Sequence, residues 1–159
     1  MRAALALLAV STALATGLAA CGDGGGPISK SEYEAKMGAL VREASMSQVL
    51  RYESDDFASL PAFFRRLSTS LGDVASRTKA IEPPREVAAD HAQIVDGFMK
   101  EAAIAGRFAD ELRGASVARM KVLLRRFDSS GFRAAYQEID AASRAIEARG
   151  YRIRPNGGT

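Results

Sequence analysis

His91 is the only histidine of the chain and Cys21 its only cysteine, so acid–base, metal or thiol chemistry has few places to sit. His91 falls on an apolar helical stripe, with Val87, Ala88, Ile94 and Val95 three and four residues away and no carboxylate at those spacings. Asp90 is adjacent in sequence but does not share its face. Such a position suits a neutral imidazole bonded to a carbonyl or a hydroxyl. A sharper expectation is a ligand. Met37 lies seven residues after Lys30 and His91 seven after Pro84, so each stands about two turns into helices that run parallel. A Met/His pair facing across a four-helix core can hold a haem iron.

Other chemistry lacks its parts. A di-iron bundle needs paired Glu-x-x-His motifs, and Ala88 stands three residues before His91. Met37, Met46, Met99 and Met120 have thioethers that suit Cu(I), but they show no clustered spacing and read as core filling. There is no Gly-x-Ser-x-Gly elbow. Gly24-Gly25-Gly26 lacks the Lys-Ser/Thr of a phosphate loop, and the paired carboxylates Asp55-Asp56 sit in an expected turn. The reading is not an enzyme and assigns no cofactor or metal, with a haem or small-ligand carrier built on His91 and Met37 as the alternative.

The first twenty residues set Arg2 before an apolar run from Ala3 to Ala15, then Thr16, Gly17 and small residues up to Cys21, the layout of an export signal. The stretch Leu18-Ala19-Ala20-Cys21, followed by Gly22-Asp23-Gly24-Gly25-Gly26, resembles the lipobox of bacterial prolipoproteins. That resemblance implies a thioether-linked diacylglycerol on Cys21, cleavage before it, and a protein anchored on the extracytoplasmic side of the cell membrane. Two or more acyl chains hold a protein to a bilayer stably where one does so marginally. With lipobox, tether and a Pro83-Pro84-x-x-Val87-Ala88-x-x-His91 segment, the chain also looks like uncharacterised lipoproteins of high-GC bacteria, which brings no activity with it. Without Arg2, the formal charge of +3 falls to +2, too little for nucleic acid as a bulk electrostatic partner.

These features need helices to position them. Ser29-Lys30-Ser31-Glu32 is a capping box, and Tyr33, Met37, Leu40, Val41 and Ala44 follow at helical spacing. Glu53-Ser54-Asp55-Asp56 closes that segment. Phe57, Leu60, Phe64, Leu67, Leu71, Val74, Thr78 and Ile81 then repeat at spacings of three and four, a heptad seam, with Pro61 in the first turn where its missing amide is tolerated. Pro83-Pro84 ends this helix. A third carries Val87, His91, Ile94, Val95, Phe98, Ala105, Phe108 and Leu112, and a fourth runs from Val117 to Ile146 with a break near residues 129–131. Short connections predict an all-α, up-down-up-down four-helix bundle. The organisation expected is a signal peptide over 1–20, a lipidated cysteine and flexible tether over 21–29, the bundle over 30–150, and a basic tail over 151–159. Gly38, Gly72, Gly97 and Gly106 fall inside the predicted helices, where close helix contact is the commonest compensation for their low propensity.

Between Leu112 and Phe127 the chain carries Arg113, Arg119, Lys121, Arg125 and Arg126 with no acid. Arg119, Lys121, Arg125 and Arg126 are the candidate interaction residues, facing a protein or an acidic polymer, unless Glu53, Asp55 and Asp56 balance them at the same end. A second group, Arg149, Arg152 and Arg154, is expected to face the membrane surface, with Tyr151 and Ile153 between them folding back over the bundle. The functional expectation is a binding or protein-interaction module of unspecified partner.

Overall fold

A computed structural model describes residues 26–48, 57–127 and 131–154 of the chain. Cys21 and the leader, the acidic stretch containing Glu53, Asp55 and Asp56, residues 128–130 and the last five residues lie outside the described residues, as do the side chains of Ala44 and Met46. The elements are α1 (Lys30–Gln48), α2 (Leu60–Lys79), α3 (Ala88–Leu112), α4 (Val117–Phe127) and α5 (Phe132–Ala148), with short 3-10 turns leading into α2 and α3. No strand occurs among the described residues. The architecture is a four-helix bundle whose fourth helix is split into α4 and α5.

Local sequence accounts for the helix ends. The Ser29 hydroxyl accepts from the Glu32 amide at 3.3 Å, the forward half of the capping box, while the Glu32 carboxylate pairs with Lys36 one turn on. Pro61 falls in the first turn of α2. The seam of α2 buries Leu60, Phe64, Leu71, Val74 and Thr78, with Ile81 buried just beyond the helix and Phe57 and Leu67 partly covered. Ser116 caps α4, accepting from the Arg119 amide at 3.3 Å. Between α4 and α5, Gly131 turns the chain with φ of +92°, a conformation that a side chain makes expensive.

Helix α3 is central, packing against α2 on one side and α5 on the other, with α1 against α2 and α4 across the end of α3. Two apolar clusters stack along its axis. One gathers Tyr33, Met37, Leu71, Ile94, Ile146 and Ile153; the other gathers Leu60, Phe64, Phe108, Leu112, Met120 and Leu123. Phe127 stitches α4 into the second, its ring 5.0 Å from Phe64, 4.8 Å from Phe108 and 4.9 Å from Phe132.

Residues 151–154, the described part of the expected tail, pack onto the bundle. Tyr151 and Ile153 are buried in the first cluster, and the Arg152 amide donates to Glu34 of α1 at 2.9 Å. Arg149 pairs with Asp90, and Arg154 with Glu147 and Asp140. Arg149 and Arg154, expected at a membrane surface, thus each have acidic partners within the bundle. Their charges are engaged within the bundle, because burying Tyr151 and Ile153 on alternate positions lays the arginines along acids of α3 and α5.

Of the four helical glycines, Gly97 is the one that a close approach requires. A Cβ there would stand 2.3 Å from Ile139 Cγ1 and 3.3 Å from the Ala135 carbonyl oxygen, whereas at Gly72 it would meet nothing within 4 Å. Gly97→Ala should lower stability by about 1–3 kcal/mol through overpacking. Gly72→Ala should raise it by up to about 1 kcal/mol through helix propensity. Urea unfolding of the two variants checks this, and shifts of the same sign would contradict a tight α3–α5 seam.

Candidate functional site

The sequence singled out His91, and the structure surrounds it with partners. Its Nε2 lies 3.0 Å from the backbone carbonyl oxygen of Thr78. A carbonyl only accepts, so Nε2 carries the proton and donates. Nδ1, 3.1 Å from the Tyr33 hydroxyl, is then the acceptor and Tyr33 the donor. Thr78 belongs to the last turn of α2, and its carbonyl also accepts from the Ile81 amide at 3.0 Å, so His91 of α3 adds a second donor to that helix end. Burial holds the imidazole below the usual histidine pKa, against the contrary pull of the Thr78 carbonyl.

Tyr33 links this pair to the C-terminal segment. It is fully buried, and its ring meets Tyr151 edge-on at 5.6 Å. Burial, reinforced by Tyr151 and Asp90, raises its hydroxyl pKa. Tyr151 in turn donates to Glu86 at 2.5 Å. That bond pulls the Glu86 carboxyl down and pushes the Tyr151 hydroxyl up to about 12.

Met37 is also fully buried, in the same apolar cluster. The polar contact from α1 to His91 comes from Tyr33, one turn before Met37, and not from the thioether. An axial bond from either His91 nitrogen would displace Tyr33 or the Thr78 carbonyl. The arrangement is a structural cross-brace between α1, α2 and α3. One edge of His91 also borders an open groove of about 530 Å³ between the end of α2 and the outer face of α3, lined by Ile81, Pro83, Val95 and Met99. Met99 is about half exposed. Among the described residues, no cluster of three or more His, Cys, Asp or Glu side chains is arranged to hold a metal ion.

Sequence reasoning missed Glu101. It is fully buried on α3, and neither carboxylate oxygen has a hydrogen-bond partner among the described residues. Burial alone pushes its pKa up to about 7, as expected when a charged form loses water and gains no counter-charge. The signal was present in the spacing: Val87, His91, Ile94, Phe98, Glu101, Ala105, Phe108 and Leu112 step by four and three. Glu101 fills the gap between Phe98 and Ala105 in the apolar seam.

The candidate interaction residues Arg119, Lys121, Arg125 and Arg126 are all exposed on α4. That helix buries only Met120 and Leu123 and leaves Val117 and Val122 substantially exposed beside the cations. Lys121 sits over the Phe57 ring, 5.6 Å from its centre. Arg113, from the same basic run, pairs instead with Asp110 at 3.1 Å, an acid it shares with Arg65 of α2. No protein-family model, curated protein or solved structure matches the chain.

The two buried titrating groups give opposite pH dependences. Glu101 binds its proton more tightly folded than unfolded, so its contribution is full below its ordinary pKa near 4.5 and declines as pH rises towards 7, by about 3 kcal/mol in all. His91 resists protonation when folded, so its contribution is present above about 6.5 and declines as pH falls. Glu101→Leu should abolish the first slope and raise stability at pH 8, while His91→Gln should abolish the second. Urea unfolding from pH 4.5 to 8 reads both. An unchanged profile in Glu101→Leu would mean that the carboxyl is not dry in the folded protein.

Proposed function

We propose that this protein is a lipid-anchored, extracytoplasmic interaction module that holds a bundle at the membrane by acyl chains on Cys21 and offers the basic face of α4 to an acidic protein or polymer. The observation that carries the reading is the placement of α4. Its four cations have no acid among them in sequence, and two valines stand exposed beside them. The first described residues enter the bundle at the opposite end, where the Ile28 amide donates to the Glu82 carbonyl at 3.2 Å. The 25 residues of α3 span about 37 Å, so a membrane anchor at Cys21 leaves α4 at the outer end of the bundle.

The anchor reading rests on the apolar leader and the Leu18-Ala19-Ala20-Cys21 lipobox. No described helix is long and apolar enough to cross a membrane. Cys21→Ser, expressed with its leader in a bacterium that lipidates such proteins, should leave the membrane pellet for the soluble fraction. Retention in the pellet after a carbonate wash would refute acylation as the anchor.

Cations flanked by apolar side chains suit a partner that brings carboxylates or other anions onto a part-apolar surface, where complementary charge steers encounter and adjacent burial holds the complex. A photo-reactive residue at Val122 in the membrane-bound protein should give a discrete cross-linked product that weakens with added salt. Replacing Arg119, Lys121, Arg125 and Arg126 with Ser should abolish it. An undiminished product in that variant would exclude the basic face as the docking surface.

A further inference from the structure

The groove beside His91 has the lining of a trough for hydrocarbon. It holds about 530 Å³, within the range of small-ligand sites, about 300–1,000 Å³. Its walls include Ile81, Pro83, Ala92, Val95 and Met99. His91 offers it no free polar atom, because one ring nitrogen is engaged by the Thr78 carbonyl and the other by the Tyr33 hydroxyl. Lys79, Glu82 and Asp96 also border the groove, but all three are exposed and keep their charges in water. With few hydrogen bonds to give, such a lining suits an alkyl chain better than a polar ligand. On α3 it runs from Ala88 to Met99, about 16 Å of helix.

The place where the chain enters the fold decides what can reach this trough. The Ile28 amide is fixed to the Glu82 carbonyl at 3.2 Å, and Ile28 itself packs against the first apolar cluster. Pro27 forms part of the groove lining. Cys21 stands six residues before Pro27, so no more than about 20 Å of chain separates it from the groove. We propose that the groove receives one acyl chain of the lipid on Cys21 whenever the protein is away from a bilayer. The inference rests on the acylation of Cys21 proposed above.

The attachment favours this occupant over a free one. A group carried so few residues from the groove stays near it at high effective concentration, whereas a free lipid must arrive from solution. In a bilayer, hydrocarbon already surrounds the acyl chain and the groove gives it no advantage. In water, the chain and the half-exposed Met99 are both wet, and covering each with the other removes apolar surface from the solvent on both sides. Ala92 and Met99 belong to neither apolar cluster of the core. The groove can therefore be filled or charged at these positions without disturbing the packing that holds the bundle.

Photo-cross-linking tests this. Lipidated protein is isolated from bacteria fed a fatty acid with a diazirine near its methyl end, transferred to detergent-free buffer and illuminated. Mass spectrometry of the monomer should find a product joining the acylated Cys21 peptide to residues 88–99 of α3. Ala92→Trp, which fills the groove, and Met99→Glu, which charges it, should each lower that product roughly tenfold or more; the second serves should the first fail to fold. The mass of the Cys21 peptide reports acylation separately. An acylated Cys21 whose cross-links scatter over the bundle, or persist undiminished in the variants, would overturn the groove and leave the anchor standing. An unacylated Cys21 would overturn both. A product joining α3 to a fatty acid not carried on Cys21 would mark a free-lipid site, and one joining two molecules a dimer contact; either outcome would overturn the assignment.

Discussion

Helix α3 has to be covered on two sides at once, and most of the molecule follows from that. Eleven of its 25 residues are buried, between α2 on one face and α5 on the other. A helix enclosed to this degree has no outer position for every polar residue of its seam, and both His91 and Glu101 are drawn inside. Gly97 shows how close the cover is, since α5 approaches there to a distance that excludes a Cβ. The two polar groups meet opposite fates. His91 finds a donor in Tyr33 and an acceptor in Thr78, so its burial ties three helices together. Glu101 finds neither among the described residues, and its burial is a standing liability that only a proton relieves.

The end of the bundle nearest the N-terminus is closed by the segment that follows α5. Full burial of an aromatic or branched aliphatic side chain contributes about 1.5–3 kcal/mol, so Tyr151 and Ile153 dominate the docking of this segment. Exposed ion pairs contribute about 0–1 kcal/mol, and the pair between Arg149 and Asp90 adds register more than stability. Arg154 is more enclosed than Arg149, and its bonds to Glu147 hold that carboxyl below its ordinary pKa. The same pairs engage positive charge at this end, whereas Arg119, Lys121, Arg125 and Arg126 lie exposed along α4, the face on which its proposed role rests.

Much of this was legible before any coordinates. The α2 seam, the Ser29 cap, the stop at Pro83-Pro84 and the split of the fourth helix near Gly131 are local matters, governed by side-chain period, free end amides and permitted backbone angles. They follow from residues within a few positions of one another. The burial of His91 against a carbonyl and a hydroxyl is legible in the same way, from a lone imidazole on an apolar stripe. Glu101 was legible too, as a carboxylate standing at a seam position, but periodicity there competes with the habit of reading every glutamate as solvated.

The identity of partners was another matter. Tyr33 and His91 are 58 residues apart, Tyr151 and Glu86 are 65 apart, and Arg152 and Glu34 are 118 apart. Helical phase says which residues point inward, because 3.6 residues per turn is a property of the backbone. It does not say which inward residue meets which, because that depends on the relative height and rotation of whole helices, set by packing along their full length. The helices and their ends are therefore written in local pattern. The Tyr33–His91–Thr78 brace, the docking of Tyr151 and Ile153, and the isolation of Glu101 were decided only when α1, α2 and α5 closed around α3.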